Sequence, residues 1–482
     1  MFDLRPVGFV IGNIVCVLGA TMFLPMILDY QAANGQAGVF FQCGVFTLFC
    51  GGMIALTCAN GVTGGMTLRQ AFVLTACIWA LVPLFGALPF MLGATQANLT
   101  DSYFEAVSGI TTTGSTVFVG LDALPPGLLL WRGLLNWMGG LGIVIVALIF
   151  LPMMRLGGMQ FFRTEGFDTL GKILPRVIDI ARSLLGVYVG LTALAIGTFL
   201  MLGMTGLEAS VHGMAAIATG GFSTRDSSFT GFSPALQYAA SAYMILASLP
   251  YIRFVQLVNG EPGPLWRDPQ ARGYLALIFL GVAAVVAWRL GSSDAGVADT
   301  VRLALLNISS VASGTGFFAG PFEAWGSFGV LVLLVLGFVG GCTSSSSGAL
   351  SVFRVQIMLS AVLVQIGLIH APHSIRKVRY GGREVEADVV DQVILYTGGY
   401  FATVIVICLL MTLTGVDAMS ALFAVWTSIG NIGFGVGPLV ARTGTMVDFP
   451  DAAKWLMILA MLMGRLGLLA ILVLLSGRFW RN

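Results

Sequence analysis

Thr111-Thr112-Thr113-Gly114 is one of four short glycine-ended stretches in this 482-residue chain; the others are Ala218-Thr219-Gly220-Gly221, Ser313-Gly314-Thr315-Gly316 and Gly430-Asn431-Ile432-Gly433. The last three run on into Phe222, Phe317 and Phe434. Each follows a short apolar run and sits between two long hydrophobic segments. Sixteen residues before the final glycines stand Asn98, Thr205, Thr300 and Asp417, all types whose side-chain oxygen satisfies the free amides of a helix's first turn. Thr205 and Glu208 have capping-box spacing. A single copy reads equally as a turn or a small-residue packing site. Four copies at one offset predict a repeated unit: helix, re-entrant half-helix, extended loop, helix. Four such loops around one axis line a pore with backbone carbonyls, as in a cation selectivity filter.

The composition agrees. The chain is 57% hydrophobic and 10% charged, with mean hydropathy +0.92, against roughly a quarter charged residues in soluble domains. It is therefore read as an integral membrane protein. Apolar runs of spanning length lie at 7–29, 38–59, 70–92, 131–152, 183–204, 235–257, 273–291, 326–360, 390–412 and 452–476. The resulting layout has two leading helices in 1–66. Pore repeats follow in 67–155, 156–258 with a linker, 259–362 with a broken second helix, and 363–482 with a basic linker. The first run is read as a retained helix, since no cleavage site follows it clearly. Arg155, Arg163, Lys172, Arg176, Arg182, Arg267, Arg272, Arg376, Lys377, Arg379 and Arg383 crowd the linkers at 153–182, 258–272 and 361–389. By the positive-inside rule these linkers and both termini are cytosolic, and the glycine loops open outward. The seven cysteines show no disulfide or zinc spacing and read as small buried hydrophobes.

The residue types suit cation transfer. A cation in a membrane must recover its hydration energy, and carbonyls supply this without a full charge that would trap it. Such backbone is tolerated at membrane depth only where it is buried in protein or lines a wet cavity. Glycine permits the required dihedrals and close approach, and threonine adds a hydroxyl to an extended segment.

Phe104-Glu105-Ala106-Val107-Ser108-Gly109-Ile110 leads into the first loop, and Trp131-Arg132 and Trp137-Met138-Gly139-Gly140-Leu141-Gly142 follow it. In these motifs, and through all four loops, the chain resembles the TrkH-type subunits of the Trk/Ktr/HKT potassium transporter superfamily. The resemblance implies an all-α polytopic fold with a pseudo-fourfold pore. It implies potassium uptake in a bacterial inner membrane, by a homodimer on a cytosolic ring of TrkA-type nucleotide-binding subunits. Membrane lipid is the surrounding partner, and nucleic acid has no part. It further implies potassium coordination by Thr111, Thr112, Thr113 and Gly114; by Ala218, Thr219, Gly220 and Gly221; by Ser313, Gly314, Thr315 and Gly316; and by Gly430, Asn431, Ile432 and Gly433. No other metal or covalent cofactor is expected, and nucleotide is expected on the partner alone. Asn431 and Ile432 stand where the first loop has threonines, so the walls are unequal and discrimination against sodium is expected to be weaker than in a symmetric channel.

Two features lie outside the loops. Gly340-Gly341-Cys342-Thr343-Ser344-Ser345-Ser346-Ser347-Gly348 interrupts a Leu- and Val-rich run, where serines compete for backbone hydrogen bonds. It reads as a broken helix whose loop enters the pore, or as a Ser-rich packing face. The resemblance favours an intramembrane gate, although Ser344 and Ser347 replace the family's glycines and Ser351 stands at its lysine, with Arg354 retained. Arg465, in the last apolar run, is costly at membrane depth. It reads as an electrostatic barrier bonded to the 340–348 loop, or as a snorkelling or helix-pairing arginine.

Asp101, Glu105, Asp122, Glu208, Asp226, Asp299 and Glu323 are candidates for a cation-concentrating field at the outer mouth; some read as caps. Glu105 and Glu208 read equally as braces for filter amides. His212 reads as a satisfied polar residue in the second half-helix, and His370 and His373 as part of a basic solvated linker. A sodium- or proton-coupled symporter is the alternative, but no run of intramembrane Asp, Glu or His supplies a relay. A membrane enzyme is a remote alternative, as no phosphate-cradling loop, dinucleotide fingerprint or catalytic cluster is present.

Overall fold

The computed structural model describes residues 3–61, 66–149, 177–292, 296–320, 325–467, 471, 473–474 and 476–481. Arg155, Arg163, Lys172, Arg176 and Glu323 lie outside these residues. Helices dominate, and the described strands form a single two-residue hairpin. Seven described helices are long and apolar enough to span a membrane, and a further bent pair passes the same test together.

Two leading helices, α1 (Arg5–Gln31) and α2 (Ala37–Cys58), pack closely where Gly12 meets Gly51 and Gly19 meets Gly44. Small residues there let the backbones approach. The pair is docked on the first repeat: Phe40 packs edge-on against Trp131, ring centroids 6.3 Å apart, and the buried Asp29 accepts the Gly127 amide at 2.8 Å. The first repeat comprises α3 (Leu68–Gly86), half-helix α4 (Leu99–Ile110) and α5 (Pro126–Ile149). The second comprises α6 (Val177–Met201), half-helix α7 (Gly206–Ala218) and the pair α8 (Pro234–Ala247) and α9 (Tyr251–Val258). The third has α10 (Pro269–Ser292), half-helix α11 (Val297–Ser313), α12 (Gly326–Val339) and α13 (Val352–His370). A hairpin, β1 (Arg379–Tyr380) with β2 (Arg383–Glu384), leads to the fourth: α14 (Ala387–Thr412), half-helix α15 (Ala418–Gly430) and α16 (Asp451–Leu466). The all-α fold with four helix–half-helix–loop–helix units after two leading helices is as expected.

Three half-helices start where the caps predict. Asn98 accepts the Asp101 amide, Thr205 and Glu208 form a complete capping box, and Asp417 accepts the Met419 and Ser420 amides. Hydrogen bonds from Ser420, side chain then backbone, hold the Asp417 carboxyl below its ordinary value. The third departs: α11 begins after Gly296, and Thr300 lies one turn inside with its hydroxyl on the Gly296 carbonyl at 2.9 Å. Asp299 occupies the first turn, where a carboxylate favours the positive helix end.

Three spans differ from their apolar runs. The sixth, read as continuous over 235–257, bends by 95° between α8 and α9, because Pro250 has no amide to continue the helix. In the eighth the irregular segment runs from Gly340 to Ser351, three residues beyond the 340–348 stretch. The last, read to 476, ends at Leu466, where Gly467 takes φ +81°. Arg465 therefore sits in the last turn of α16, inside the apolar run.

Candidate ion pathway

Each half-helix ends in the same backbone turn. The second residue of each loop, Thr112, Thr219, Gly314 and Asn431, is left-handed, with φ between +51° and +75°. Their amides donate to the carbonyls three residues back, Gly109, Ala216, Val311 and Ser428. The third residues, Thr113, Gly220, Thr315 and Ile432, donate to the carbonyls five back, Ser108, Ala215, Ser310 and Thr427, at 2.8–2.9 Å. This is a Schellman ending, which satisfies the last helix carbonyls and turns the chain sharply. The fourth residues, Gly114, Gly221, Gly316 and Gly433, are again left-handed. Alternating dihedral signs turn successive carbonyls toward one side, where an ordinary strand alternates them.

The four loops close on one another in cyclic order. A side chain on Gly114 would strike the Gly220 carbonyl, one on Gly221 the Thr315 carbonyl, one on Gly316 the Ile432 carbonyl, and one on Gly433 the Thr113 carbonyl. Each third-position carbonyl thus abuts the final glycine of the preceding loop. All four final glycines line one cavity of about 300 Å³.

The segments leaving the loops are braced from behind. Nine residues before the final glycines stand Glu105, His212, Asn307 and Ala424. Glu105 accepts from the Val117 amide at 3.0 Å and the Thr116 hydroxyl at 2.9 Å. The Nε2 of His212 bonds the Ser223 hydroxyl at 2.9 Å, and its Nδ1 the Glu208 carbonyl at 2.8 Å. Asn307 bonds both backbone groups of Ala319, at 3.0 and 3.1 Å. Ala424 has no polar group to offer, so the fourth wall lacks this brace. Glu105 also forms a fully buried ion pair with Arg132 at 2.8 Å. Arg132 donates on to the Ser223 carbonyl at 2.9 Å and lies 4.1 Å over the Phe222 ring, joining the first repeat to the exit of the second loop.

Beneath the loops lies the 340–348 segment with Arg465. The Arg465 guanidinium donates to the Thr112 hydroxyl and to the Ser346 carbonyl. Thr219 donates to the same carbonyl at 3.0 Å. Gly348 packs against the Gly430 carbonyl of the fourth loop, and its amide nitrogen is 3.7 Å from where a side chain on Gly314 would begin. Segment and arginine together therefore reach all four loops, chiefly through the left-handed second residues. Left-handed non-glycine residues cost about 1–2 kcal/mol each. Here the hydroxyls of Thr112 and Thr219 and the amide of Asn431, which donates to Thr113 Oγ1 at 2.8 Å, are each engaged.

The 340–348 segment is held by the bend in the sixth span. Cys342 and Ser346 donate to the Ser248 and Ala247 carbonyls, and the Tyr251 amide donates to the Ser344 carbonyl at 3.0 Å. Two broken helices thus satisfy each other's backbone, as membrane depth demands. Leu350, Ser351 and Val352 return to the Phe338, Val339 and Gly341 carbonyls. Ser344 has φ +63°, which glycine adopts freely. Ser344→Gly is expected to raise the thermal unfolding midpoint in detergent: about 1–2 kcal/mol of steric cost disappears against about 0.4–1 kcal/mol of added unfolded-chain freedom. A lowered midpoint would show that the serine is needed there.

Several of the acidic residues are engaged in pairs and caps. Among those within the described residues, only Asp226 lines the cavity, and it accepts the Gly120 and Leu121 amides. Asp101 pairs with Lys454 at 2.6 Å, Glu208 with Arg225 at 2.5 Å and Asp299 with Arg302 at 2.7 Å. Glu105 is a brace, as one of its two readings had it, and Glu208 is a cap. Sequence reasoning missed the bend and the shared brace position. Pro250 signalled the first; the sixteen-residue count, repeated at nine, finds the second.

A match to the TrkH cation transport protein family covers residues 36–482. The chain is 38% identical over 416 residues to the Trk system potassium uptake protein TrkI of Halomonas elongata, covering 86% of this chain and 84% of that protein. It is 31% identical over 485 residues to the Trk system potassium uptake protein TrkH of Escherichia coli, covering 99% of both. Its fold matches the crystal structure of the potassium transporter TrkH from Vibrio parahaemolyticus with a TM-score of 0.91 at 29% identity, over the full length of both chains.

Proposed function

The chain belongs to the TrkH family of cation transport proteins, and on that premise we propose that it takes up potassium across a bacterial cytoplasmic membrane through the ring formed by loops 111–114, 218–221, 313–316 and 430–433. The observation that carries this reading is the cyclic closure of those loops, each final glycine against the next loop's third carbonyl. Carbonyls so held replace the water of a bare cation. The transported potassium is the only ion assigned to the ring. The units are 1–66, 67–155, 156–258, 259–362 and 363–482, with both termini cytosolic.

Segment 340–348 and Arg465 form the gate. The guanidinium places a positive charge under the ring, and the segment fills the space below it. Opening requires both to leave Thr112 and Thr219. The working assembly is a homodimer on a TrkA-type cytosolic ring, and any regulatory nucleotide is bound by that ring. A passive, gated pore is favoured over coupled symport, because the buried Glu105 and His212 are both spent on bracing the loops' exits.

The test is potassium flux into liposomes containing this chain alone, with sodium and proton gradients set independently. Flux should follow the potassium gradient. A unit charge near the path costs on the order of 1–4 kcal/mol, so Arg465→Ala is expected to raise flux about tenfold or more. Uptake that strictly requires a sodium or proton gradient would establish symport instead, and unchanged flux in Arg465→Ala would remove the arginine from the gate.

A further inference from the structure

We propose that the turn after α13 is a binding site for the phosphate head group of an anionic phospholipid, whose acyl chains lie along the exposed face of α13. Leu359, Val362, Leu363, Ile366 and Ile369 are all exposed. Their spacing places them on one face of the helix. Just past the helix end the chain turns back, and Ile375 is 91% exposed. Ile375, Val364, Arg376, Lys377, Arg379 and Glu384 line an open cleft of about 580 Å³.

The charge in this cleft is unbalanced. Lys377 pairs with Glu384 at 2.6 Å, and Glu384 is the only carboxylate lining the cleft among the described residues. Arg376 and Arg379 are left without a carboxylate there. Arg376 is not free to wander: Gly367 has no side chain, and the guanidinium and Cδ of Arg376 fill the space a Cβ would take. Its Nε donates to the Ser374 hydroxyl at 3.2 Å. The guanidinium is thereby laid against the helix at the end of the apolar face. Its planar fork suits phosphate oxygens.

The cleft is also anchored. The Tyr380 ring of β1 packs edge-on against Phe353 near the start of α13, with centroids 5.0 Å apart. Val385 and Val389 join the same buried cluster. A site held in its bound shape loses less freedom on binding. A free anion gains nothing from Val364, Ile375 or the apolar face, whereas a phospholipid uses both charge and face at once. Basic clefts at the membrane surface recognise anionic head groups in this way.

Thermal unfolding of the purified full chain in neutral detergent tests the assignment, with phosphatidylglycerol, phosphatidylcholine or inorganic phosphate added in increasing amounts. Phosphatidylglycerol is expected to raise the midpoint to a plateau; the other two are expected to leave it unmoved. R376A/R379A should weaken the apparent phosphatidylglycerol affinity about 30-fold, the combined effect of two near-surface charges. Gly367→Ala should shift it the same way by displacing Arg376. E384Q, which frees Lys377 and removes the competing carboxylate, should tighten it and keeps the test open if the arginine variants fail to fold. An equal response in E384Q, Gly367→Ala and the untouched chain overturns the proposal. So does a shift reproduced by inorganic phosphate, which would mean a free-anion site, or the absence of any phosphatidylglycerol response.

Discussion

Gly316→Ala is expected to cut potassium flux by about 30-fold or more while the protein still inserts and folds. Gly316 has φ +84°, and an added methyl would collide with the Ile432 carbonyl oxygen of the next loop. The obstructing atoms are backbone, so relief requires displacing the fourth loop and with it the ring. The dihedral costs about 1–2 kcal/mol and the enforced shift about 1–3 kcal/mol. If that cost falls on the conducting state alone, flux drops about 30-fold to several thousand-fold. Gly320→Ala is the control: Gly320 is also left-handed, at φ +76°, with nothing within 4 Å of the added methyl. It carries the dihedral cost without the collision and should keep most of the flux. Liposome flux for both variants decides the matter. Retained flux in Gly316→Ala would mean that the closed ring is not the conducting path, and equal losses in both would mean that the dihedral alone is responsible.

Glu105→Ala is expected to be the most destabilising single truncation near the pathway. The carboxylate is wholly buried and serves Arg132, the Val117 amide and the Thr116 hydroxyl. Its loss leaves a buried guanidinium without its counter-charge, which costs about 3–5 kcal/mol. That is a large share of the roughly 5–15 kcal/mol that keeps a domain folded. Restoring charge balance in Glu105→Ala/Arg132→Met should recover part of the loss. It should not recover all, because Val117 and Thr116 still lack their acceptor. Thermal unfolding of the two variants separates these contributions. A double variant no better than the single would mean that the unpaired charge of Arg132 is not the main cost, the loss falling on the brace and on the contacts of Arg132 with Ser223 and Phe222.

What could be read in the chain beforehand followed from how local its cause was. Asn98, Thr205 and Asp417 cap their helices through atoms three residues away or fewer, so spacing alone found them. Thr300 has the same chemistry but spends its hydroxyl inside α11, and one residue type cannot tell a cap from a first-turn back-bond. The final glycines were legible because a crowded left-handed position accepts little else. The second positions were not, since Thr112, Thr219 and Asn431 take a conformation their side chains disfavour and are engaged by residues remote in the chain, Arg465, Ser346 and Met461. The brace position was hidden for another reason. Glu105, His212 and Asn307 share a task without sharing a residue type, so comparison by identity passes over them. The bend at Ser248–Pro250 lies in a run whose hydropathy stays high, and hydropathy reports burial in lipid, not helical continuity. The order in which the loops close around the axis depends on contacts between residues far apart in the chain, such as Gly316 with Ile432 and Gly433 with Thr113, and has no local signature.

The bonds from Thr112 and Thr219 to Arg465 and Ser346 have a thermodynamic consequence. An ion site and an obstruction that share hydrogen bonds cannot be independent: whatever free energy ion occupancy lends to one arrangement of Ser346, that arrangement must return to ion occupancy. On the proposed reading of the loops as the ion site and segment 340–348 as the gate, external potassium is itself an effector of opening, and a ligand that shifts the gate changes the apparent affinity for potassium by the factor by which potassium changes that ligand's own.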